Sequence, residues 1–378
     1  MRVLWLTHMS SLGGADLAVS EAVSAMRTLG HSVHVVLPFE GPLRTQLGDA
    51  ARVDILHSNR WAGQRPLPPL ATRVRQLGFN VLRAAPRIAA LAKTTAADLV
   101  VTNTLNIPAG ALAARRAGVS HVWYVHEFGE LDHGIAFHWG EALSLRVMSA
   151  LSARVLVNSE ALKRHYARGM PSAKIRIARY SVEVPDIDTD SGAPHNPFRL
   201  ILLGEKKDGK GQLEAIRAVS RLTEKGVPTE LDLVGGGDPR YENELRREVT
   251  NLGLESRVHF VAFDPERLQR LARADVALMC SRSEAFGRVT VEAMKLGKPV
   301  VGANAGATPE LVRDGETGLL YAPGDADDLA AKLTTLYREP HRLRAMGERG
   351  RQWARSEFTV QHFATALAEA FQEALPPV

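Results

Sequence analysis

The sequence predicts an α/β protein made of two domains, each built on a parallel β-sheet with helices on both faces. Short apolar runs alternate with helical patterns along most of the chain, which is typical of parallel sheets with crossover helices. The alternation stops once, at the polar, proline-bearing stretch VPDIDTDSGAPHNP, and then restarts. A chain of 378 residues is also long enough for two cores of ordinary size.

In the first half, six runs have the length and composition of strands: RVLWLTH, HSVHVVLP, DLVVTN, HVWYVHE, RVLVNS and KIRIARY. Residues 16–26, Ala109–Ala117 and residues 160–168 between them show helical patterns, and Gly30 marks a helix stop. This order predicts a first domain over residues 1–190.

In the second half, five further runs predict strands: FRLILLGE, TELDLVGGG, RVHFVAF, DVALMCS and KPVVGAN. Helical patterns close the chain at 327–338, 341–355 and 359–374. We therefore expect a second domain over 191–358 and two Rossmann-like domains facing each other across a cleft. Ligands in such sheets lie at the carboxyl ends of the strands.

Composition excludes several classes of protein. The charged fraction of 24% and hydrophobic fraction of 45% are those of a globular chain. A single cysteine, Cys280, excludes an intramolecular disulfide, and its apolar surroundings predict a buried structural role. No apolar run reaches the roughly 18 residues of a membrane span, and the N-terminus reads as a strand. A cytoplasmic location is expected.

Positive charge is concentrated in residues 55–97, which contain seven Lys and Arg residues and no acid. Leu70, Val74, Leu77, Val81 and Leu82 fall near helical spacing within this segment. Two interpretations stay open: a solvated helix packed on its domain, or a basic amphipathic surface that faces an anionic acceptor or the inner face of a membrane. Nucleic acid is not expected as a partner, because no stacking aromatics or known module accompany the charge.

Polar residues follow the predicted strands of the first domain. Gly13 and Gly14 come after the first strand and precede a helix, which suits close approach of a phosphate. His126 and Glu127 follow another strand, where either a ligand contact or a structural role is compatible with the pattern. Asp132 and His133 do not have the spacing of a metal site.

Two strand ends of the second domain carry charge. GEKKDGKGQ places Lys206, Lys207 and Lys210 in a glycine-rich turn that can hold a diphosphate, although its spacing is not that of a Walker A loop. SRSEAFGRVTVEAMKLG places Glu284 in a loop and Glu292 one helical turn into a helix. The amides of Phe286, Gly287 and Arg288 would form the anion-binding start of that helix.

Carboxylates beside a diphosphate repel it, so we expect each glutamate to bind sugar hydroxyls. A metal site is not expected, because no Asp-x-Asp follows a strand of the sheet; the matches at 186–190 lie in the linker. The absence of G-x-S-x-G also argues against a serine hydrolase.

With these residues in place, EAFGRVTVEAMKLGKPVVGANAGATPELVRDGETGLLYAPGD resembles the C-terminal domain of the family 4 glycosyltransferases, retaining enzymes with the GT-B fold. GGAD resembles the family's glycine-rich loop, and VNSEAL resembles one of its strand–helix junctions. The resemblance covers most of the chain and rests above all on Glu-x7-Glu with its FG and downstream PE.

The resemblance implies a role for each matching position. It places Glu284 on the donor sugar, Glu292 on the ribose, Lys210 and Gly14 on the diphosphate, and His126 near the reacting centre. The amides of Phe286, Gly287 and Arg288 would hold the sugar and the diphosphate, with Gly13 and Lys206 as further donor contacts. It also implies that residues 359–378 pack back on the N-terminal domain.

Three departures from the family pattern weaken the expected phosphate contacts. Glu205 stands where the family commonly has an arginine, so Lys206 or Lys207 would have to replace that cation. Ala305-Gly306-Ala307 replaces a double glycine, and Tyr180-Ser181 replaces Asn-Gly.

The function implied is metal-independent transfer of a sugar from a nucleotide diphosphate sugar to a small-molecule, lipid-linked or glycan acceptor, with no cofactor. The alternatives are a nucleotide-sugar epimerase of the same fold and a non-catalytic sugar-nucleotide-binding subunit.

Overall fold

A computed structural model describes residues 1–189 and 194–376. The chain divides into two compact units, the first comprising Met1–Ser181 with Thr359–Val378 and the second Val182–Phe358. The first unit therefore ends at Ser181, ahead of the boundary at 190 predicted from the linker composition. The linker residues 190–193 lie outside the described residues.

The first unit is built on a seven-stranded sheet in the order β3-β2-β1-β5-β6-β8-β9, with every neighbouring pair parallel. These strands are β1 (Arg2–Leu6), β2 (Ser32–Leu37), β3 (Arg52–Ile55), β5 (Leu99–Asn103), β6 (Ser120–Val125), β8 (Arg154–Val157) and β9 (Ile175–Ile177). A separate two-stranded antiparallel ribbon pairs β4 (Ala62–Gln64) with β7 (Ile135–Phe137).

The helices of the first unit are α1 (Gly14–Thr28), α2 (Pro42–Leu47), α3 (Leu70–Phe79), α4 (Ala85–Thr94), α5 (Ala109–Ala117), α6 (Glu130–His133), α7 (Glu141–Leu151), α8 (Glu160–Tyr166) and, from the chain's end, α16 (Val360–Gln372). A π-helical turn, Asn80–Ala84, joins α3 to α4. On one face of the sheet, α4 and α5 cover an apolar cluster that includes Leu4, Val36 and Val100.

Helix α16 completes the first unit, where it packs against α1. The ring centroids of Trp5 on β1 and Phe371 on α16 lie 6.0 Å apart in an edge-to-face arrangement, and both side chains are fully buried. The last helix thus covers part of a sheet whose strands all come from the first half of the chain.

The second unit is built on a six-stranded parallel sheet in the order β12-β11-β10-β13-β14-β15. The strands are β10 (Phe198–Leu203), β11 (Thr229–Val234), β12 (Val258–Val261), β13 (Val276–Met279), β14 (Val300–Ala303) and β15 (Gly318–Tyr321). The helices are α9 (Gln212–Glu224), α10 (Pro239–Asn251), α11 (Arg267–Ala272), α12 (Arg288–Lys295), α13 (Thr308–Leu311), α14 (Ala326–Arg338) and α15 (Pro340–Glu357).

The predicted α/β class with two Rossmann-like parallel sheets is confirmed. The sequence pattern missed three short pieces: β3, β15 and the β4–β7 ribbon. Strand β3 lies at a sheet edge and has no buried residue, so its sequence lacks the apolar run that marks the central strands. Among the described residues, no helix is both long enough and apolar enough to cross a membrane.

Candidate functional site

The carboxyl ends of the strands carry polar clusters in both units. In the first unit, Asn103 is the last residue of β5, and His8, His126 and Asn158 follow β1, β6 and β8. Because these four strands are neighbours in one parallel sheet, their ends meet at one edge.

His126 uses both of its ring nitrogens within the first unit. Its Nε2 lies 2.7 Å from Oδ1 of Asn103, and its Nδ1 contacts the hydroxyl of Tyr180. The side chain is buried, and this burial lowers the pKa of His126 to about 3, so the ring is neutral at physiological pH.

The partners of His126 determine which nitrogen carries its proton. The amide nitrogen of Asn103 donates to the carbonyl oxygen of Ala15 at 3.0 Å, so Oδ1 of Asn103 is an acceptor and Nε2 of His126 is the donor. Nδ1 therefore accepts from the hydroxyl of Tyr180, which itself accepts from the amide of Asn158 at 2.7 Å. One directed chain of hydrogen bonds thus runs from Asn158 to the first turn of α1.

Glu127 connects the two loops that flank His126. One of its carboxylate oxygens accepts from the amide of Leu105 at 3.0 Å and the other from the amide of His126 at 3.0 Å. Burial raises the pKa of Glu127 to about 7, with the charge of Asp132 adding to the increase, while the backbone donors oppose it. Glu127 thus links the loop after β5 to the loop after β6 through backbone amides.

The glycine loop after β1 is shaped by a buried acid that the sequence analysis missed. Asp16 accepts a short hydrogen bond from the hydroxyl of Ser11 and one of 3.4 Å from Thr7, and burial raises its pKa. A Cβ added to Gly14 would meet no atom within 4 Å, and Gly14 has no left-handed backbone angle. Nothing within the first unit therefore requires a glycine at position 14.

In the second unit, the loops after β10 and β13 lie against each other. Gly211 has a φ of +75°, and a Cβ there would fall 2.4 Å from the carbonyl oxygen of Cys280. This close approach places Lys210 beside the next loop, where its ammonium lies 3.0 Å from a carboxylate oxygen of Glu284. The structure thus brings together two residues that the sequence places 74 positions apart.

A backbone hydrogen bond from the loop after β14 fixes the loop that carries Glu284. Its carbonyl oxygen accepts from the amide of Ala307 at 2.8 Å. Gly306 has a φ of +57°, and a Cβ there would fall 2.5 Å from the backbone of Glu284, so glycine is required at this position.

Helix α12 begins at Arg288, in the loop that carries Glu284. Gly287 is its N-cap with a φ of +96°, and the carbonyl oxygen of Gly287 accepts from the amide of Thr290 at 2.9 Å. The positive end of the helix dipole therefore lies near Glu284 and Lys210. The phenyl ring of Phe286 is buried, and its centroid lies 5.9 Å from that of Phe358, so the ring packs inside the second unit.

Glu292 is bound by an arginine that the sequence analysis did not select. Arg267 donates to its two carboxylate oxygens at 2.9 and 3.1 Å, and Nε of Arg288 lies 3.8 Å from one of them. Glu292 is buried, whereas Arg267 keeps 30% of its side chain exposed. Arg267 follows β12 and starts α11, so the rule of polar strand ends would have identified it.

Lys206 does not join this cluster. Its side chain is 2% exposed, and its ammonium donates to the carbonyl oxygens of Gly235 and Val261, with Glu242 at 3.4 Å. This placement disagrees with the prediction that Lys206 contacts the donor, because the ammonium holds the ends of β11 and β12. Lys207, the other proposed replacement for the family's arginine, lies 3.2 Å from Glu205.

The predicted site residues thus fall into two groups. Lys210, Glu284, Glu292 and the residues that start α12 lie at one edge of the second sheet, while Gly13, Gly14 and His126 lie at the edge of the first. Within the described residues, no group of three or more His, Cys, Asp and Glu side chains is arranged to hold a metal ion.

Comparison with known proteins matches the family model described as Glycosyltransferase Family 4 to residues 12–183 and the model described as Glycosyl transferases group 1 to residues 183–353. The two matches adjoin and together account for most of both units. This chain belongs to the family 4 glycosyltransferases. The resemblance inferred from Glu-x7-Glu is confirmed.

Two curated proteins are similar to this chain over about half of its length. A GDP-mannose-dependent α-(1-6)-phosphatidylinositol monomannoside mannosyltransferase of Mycolicibacterium smegmatis is 33% identical over 208 residues, which is 49% of this chain and 54% of that protein. An MMP α-(1→4)-mannosyltransferase of Mycolicibacterium hassiacum is 37% identical over 173 residues, 45% of this chain and 41% of that protein. The chain spans about half the length of these relatives.

Solved structures of GT-B glycosyltransferases share the fold over the full chain. HepE of Anabaena in complex with UDP has a TM-score of 0.78 at 24% identity, covering 98% of this chain and 100% of that one. A glycosyltransferase of Rickettsia africae has a TM-score of 0.79 at 19% identity, covering 99% and 98%. These likenesses confirm the predicted GT-B fold class.

Proposed function

We propose that this protein transfers a sugar from a nucleotide diphosphate sugar to an acceptor hydroxyl, with retention at the anomeric carbon and without a metal ion. The observation that carries the proposal is the pairing of Lys210 with Glu284 beside the N-terminus of α12. A cation and a helix dipole next to a carboxylate suit a ligand in which a diphosphate adjoins a sugar.

Each charged group has a proposed part in the reaction. As the bond between the anomeric carbon and the diphosphate oxygen breaks, negative charge grows on the leaving diphosphate, and Lys210 with the start of α12 stabilises it. The acceptor oxygen forms the new bond on the same face, and its proton passes to the departing phosphate oxygen. Glu284 orients the donor sugar through its hydroxyls.

Glu292 is proposed to bind the ribose of the nucleotide. Arg267 holds the carboxylate at both oxygens and fixes its orientation within the second turn of α12. A Glu292→Ala variant is expected to raise the KM for the donor, measured with the acceptor saturating. An unchanged donor KM in a folded variant contradicts the ribose role.

The identity of the donor is tested first by a thermal-shift screen of nucleotide diphosphates and their sugars. The relatives differ in this respect, since one is named GDP-mannose-dependent and a solved structure of the fold contains UDP. Incubation of the best donor with candidate acceptors, followed by NMR of the product's anomeric proton, then distinguishes retention from inversion. An inverted product contradicts the proposal.

Further measurements separate the alternatives and test the independence from metal. An epimerase converts the sugar nucleotide without any acceptor, and a binding subunit binds the donor without turnover. Full activity in a chelator is expected for the metal-independent reaction. Activity that is lost in the chelator and restored by a divalent cation contradicts that part of the proposal.

A further inference from the structure

The segment that joins the β4–β7 ribbon to α4 carries an exposed apolar stripe. Helix α3 contains no buried residue. Three apolar side chains of α3 and two of the π-helical turn recur near helical spacing with between 37% and 73% of their surface exposed: Leu70, Val74, Leu77, Val81 and Leu82.

The opposite side of this segment holds it to the first unit. Asn80 is fully buried and bonds the backbone of Asn59 in both directions, at 2.8 and 2.9 Å. Arg73 donates to the carbonyl oxygen of His138 and lies over the ring of Trp139 at 5.7 Å. The polar side is therefore used for attachment, and the apolar stripe faces outward.

The charge beside the stripe is of one sign. Arg75 and Arg83 are exposed on the same segment and Arg87 is exposed in the first turn of α4, and residues 55–97 contain no acid. One acid from another element reaches the segment's start, where Glu130 lies 2.9 Å from Arg65. That pair lies ahead of Leu70 in the chain.

We propose that the stripe Leu70–Leu82 with Arg75, Arg83 and Arg87 docks on the surface of an anionic lipid bilayer. Aliphatic side chains enter the acyl boundary while flanking arginines contact anionic headgroups, which is how a surface-lying amphipathic helix binds. The cationic flank distinguishes this surface from an ordinary protein contact, because an apolar stripe that served a second copy of this chain would bring its like charges together. The proposal does not depend on the transferase reaction.

Vesicle flotation with the full chain tests the proposal. Neutral phosphatidylcholine vesicles are compared with vesicles containing one-third phosphatidylglycerol, at low and at high salt. Binding is expected to the anionic vesicles only, and to weaken in high salt, since each arginine near the surface contributes about a fivefold change in affinity.

Two variants separate the apolar from the charged contribution. Val74→Ser/Val81→Ser removes part of the stripe, and Arg75→Gln/Arg83→Gln removes two charges; each is expected to weaken binding about tenfold or more. Phe263→Ser, which changes a 75% exposed side chain of the second unit, is the matched control and is expected to bind as the unmodified chain does. Circular dichroism melts confirm that each variant is folded.

Several results overturn the proposal. These are equal binding to neutral vesicles, binding that the four substitutions leave unchanged, and no binding to any vesicle. Sedimentation equilibrium tests the alternative that a second copy of this chain covers the stripe. If the unmodified chain is a dimer, the Val74→Ser/Val81→Ser variant is a monomer and neither binds vesicles, the stripe is an interface between copies.

Discussion

The two units organise the carboxyl edges of their sheets by different chemistry. In the first unit the edge is built from neutral groups, with His126 linked to Asn103 and Tyr180 by directed hydrogen bonds. In the second unit it is built from ion pairs, Lys210 with Glu284 and Arg267 with Glu292. A neutral network of buried groups is rigid and specific for one protonation state, whereas the cation of a partly exposed ion pair can exchange its carboxylate partner for a competing anion.

This difference assigns separate tasks to the two edges. The cations of the second unit are already balanced by carboxylates, so a diphosphate that binds there must exchange one negative partner for another. The imidazole ring of His126 in the first unit is neutral and has no charged partner to exchange. The edge of the first unit therefore contributes a fixed surface and a fixed set of hydrogen bonds.

The largest expected effect comes from breaking the pair Lys210–Glu284. Lys210→Met should lower kcat by about 10²–10³, because the charge on the leaving diphosphate loses its cation. Glu284→Gln and the double variant complete a mutant cycle. Lys207→Met, in the same loop, is the control and should lower kcat less than tenfold. If Lys207→Met and Lys210→Met lower kcat by similar factors, the role proposed for Lys210 is contradicted.

Substitution of a glycine by alanine should affect stability in the second unit and activity in the first. Gly306→Ala should destabilise the protein by about 2–3 kcal/mol, because an L side chain is strained at φ +57° and would collide with the backbone of Glu284. Gly14→Ala meets open space, so it should leave stability within about 1 kcal/mol and lower activity by excluding the ligand. Urea unfolding and initial rates measure both. A Gly14→Ala enzyme with full activity would show that no ligand approaches this loop.

Removal of the Tyr180 hydroxyl tests whether the hydrogen bonds that link Asn158, Tyr180 and His126 depend on one another. Tyr180→Phe leaves Nδ1 of His126 and the amide of Asn158 without their shared partner, which should cost about 1–3 kcal/mol of stability. The ¹⁵N shifts of the His126 ring report the tautomer directly. In the unmodified chain they should show a protonated Nε2, and a protonated Nδ1 would reverse the direction of the chain of bonds.

The pH dependence of stability should differ between the units. Burial lowers the pKa of His8 to about 4 and of His121 and His126 to about 3. Since their unfolded pKa is about 6.5, the stability that they contribute is present above that pH and is lost as pH falls. Glu127 acts in the opposite sense, because its pKa of about 7 gives stability that is lost as pH rises through 7.

Three histidines outweigh one glutamate, so the first unit should lose protection on acidification from pH 7 to about 5. Hydrogen exchange read by mass spectrometry resolves this loss peptide by peptide. Strands β5, β6 and β8 should lose protection before β10, β13 and β14. An equal loss in both units would contradict the contrast between a neutral and an ion-paired edge.

Much of this fold could be predicted from the sequence because central strands of a parallel sheet are continuous apolar runs. RVLWL and FRLILL are buried nearly throughout, and both were recognised as strands. Strand β3 and the β4–β7 ribbon were missed because they lie outside the sheet centres and lack such runs.

The site shows the same division. Glu284, Glu292 and Lys210 were selected because they follow strands, and the structure places them at one edge. Lys206 follows the same strand, yet its ammonium is buried on two carbonyl oxygens. A strand-end position identifies the loop, whereas the direction of each side chain depends on what the neighbouring strand presents.

By itself the sequence determined the two parallel sheets, the family and the strand ends that carry chemistry, because apolar runs and short-range spacing are local properties. Only the tertiary structure decided which residues become partners. Arg267 reaches Glu292, Tyr180 reaches His126 and α16 returns to α1 through contacts distant in sequence. Such contacts arise from the packing of loops at a sheet edge and the cover over an apolar face, and no local pattern encodes them.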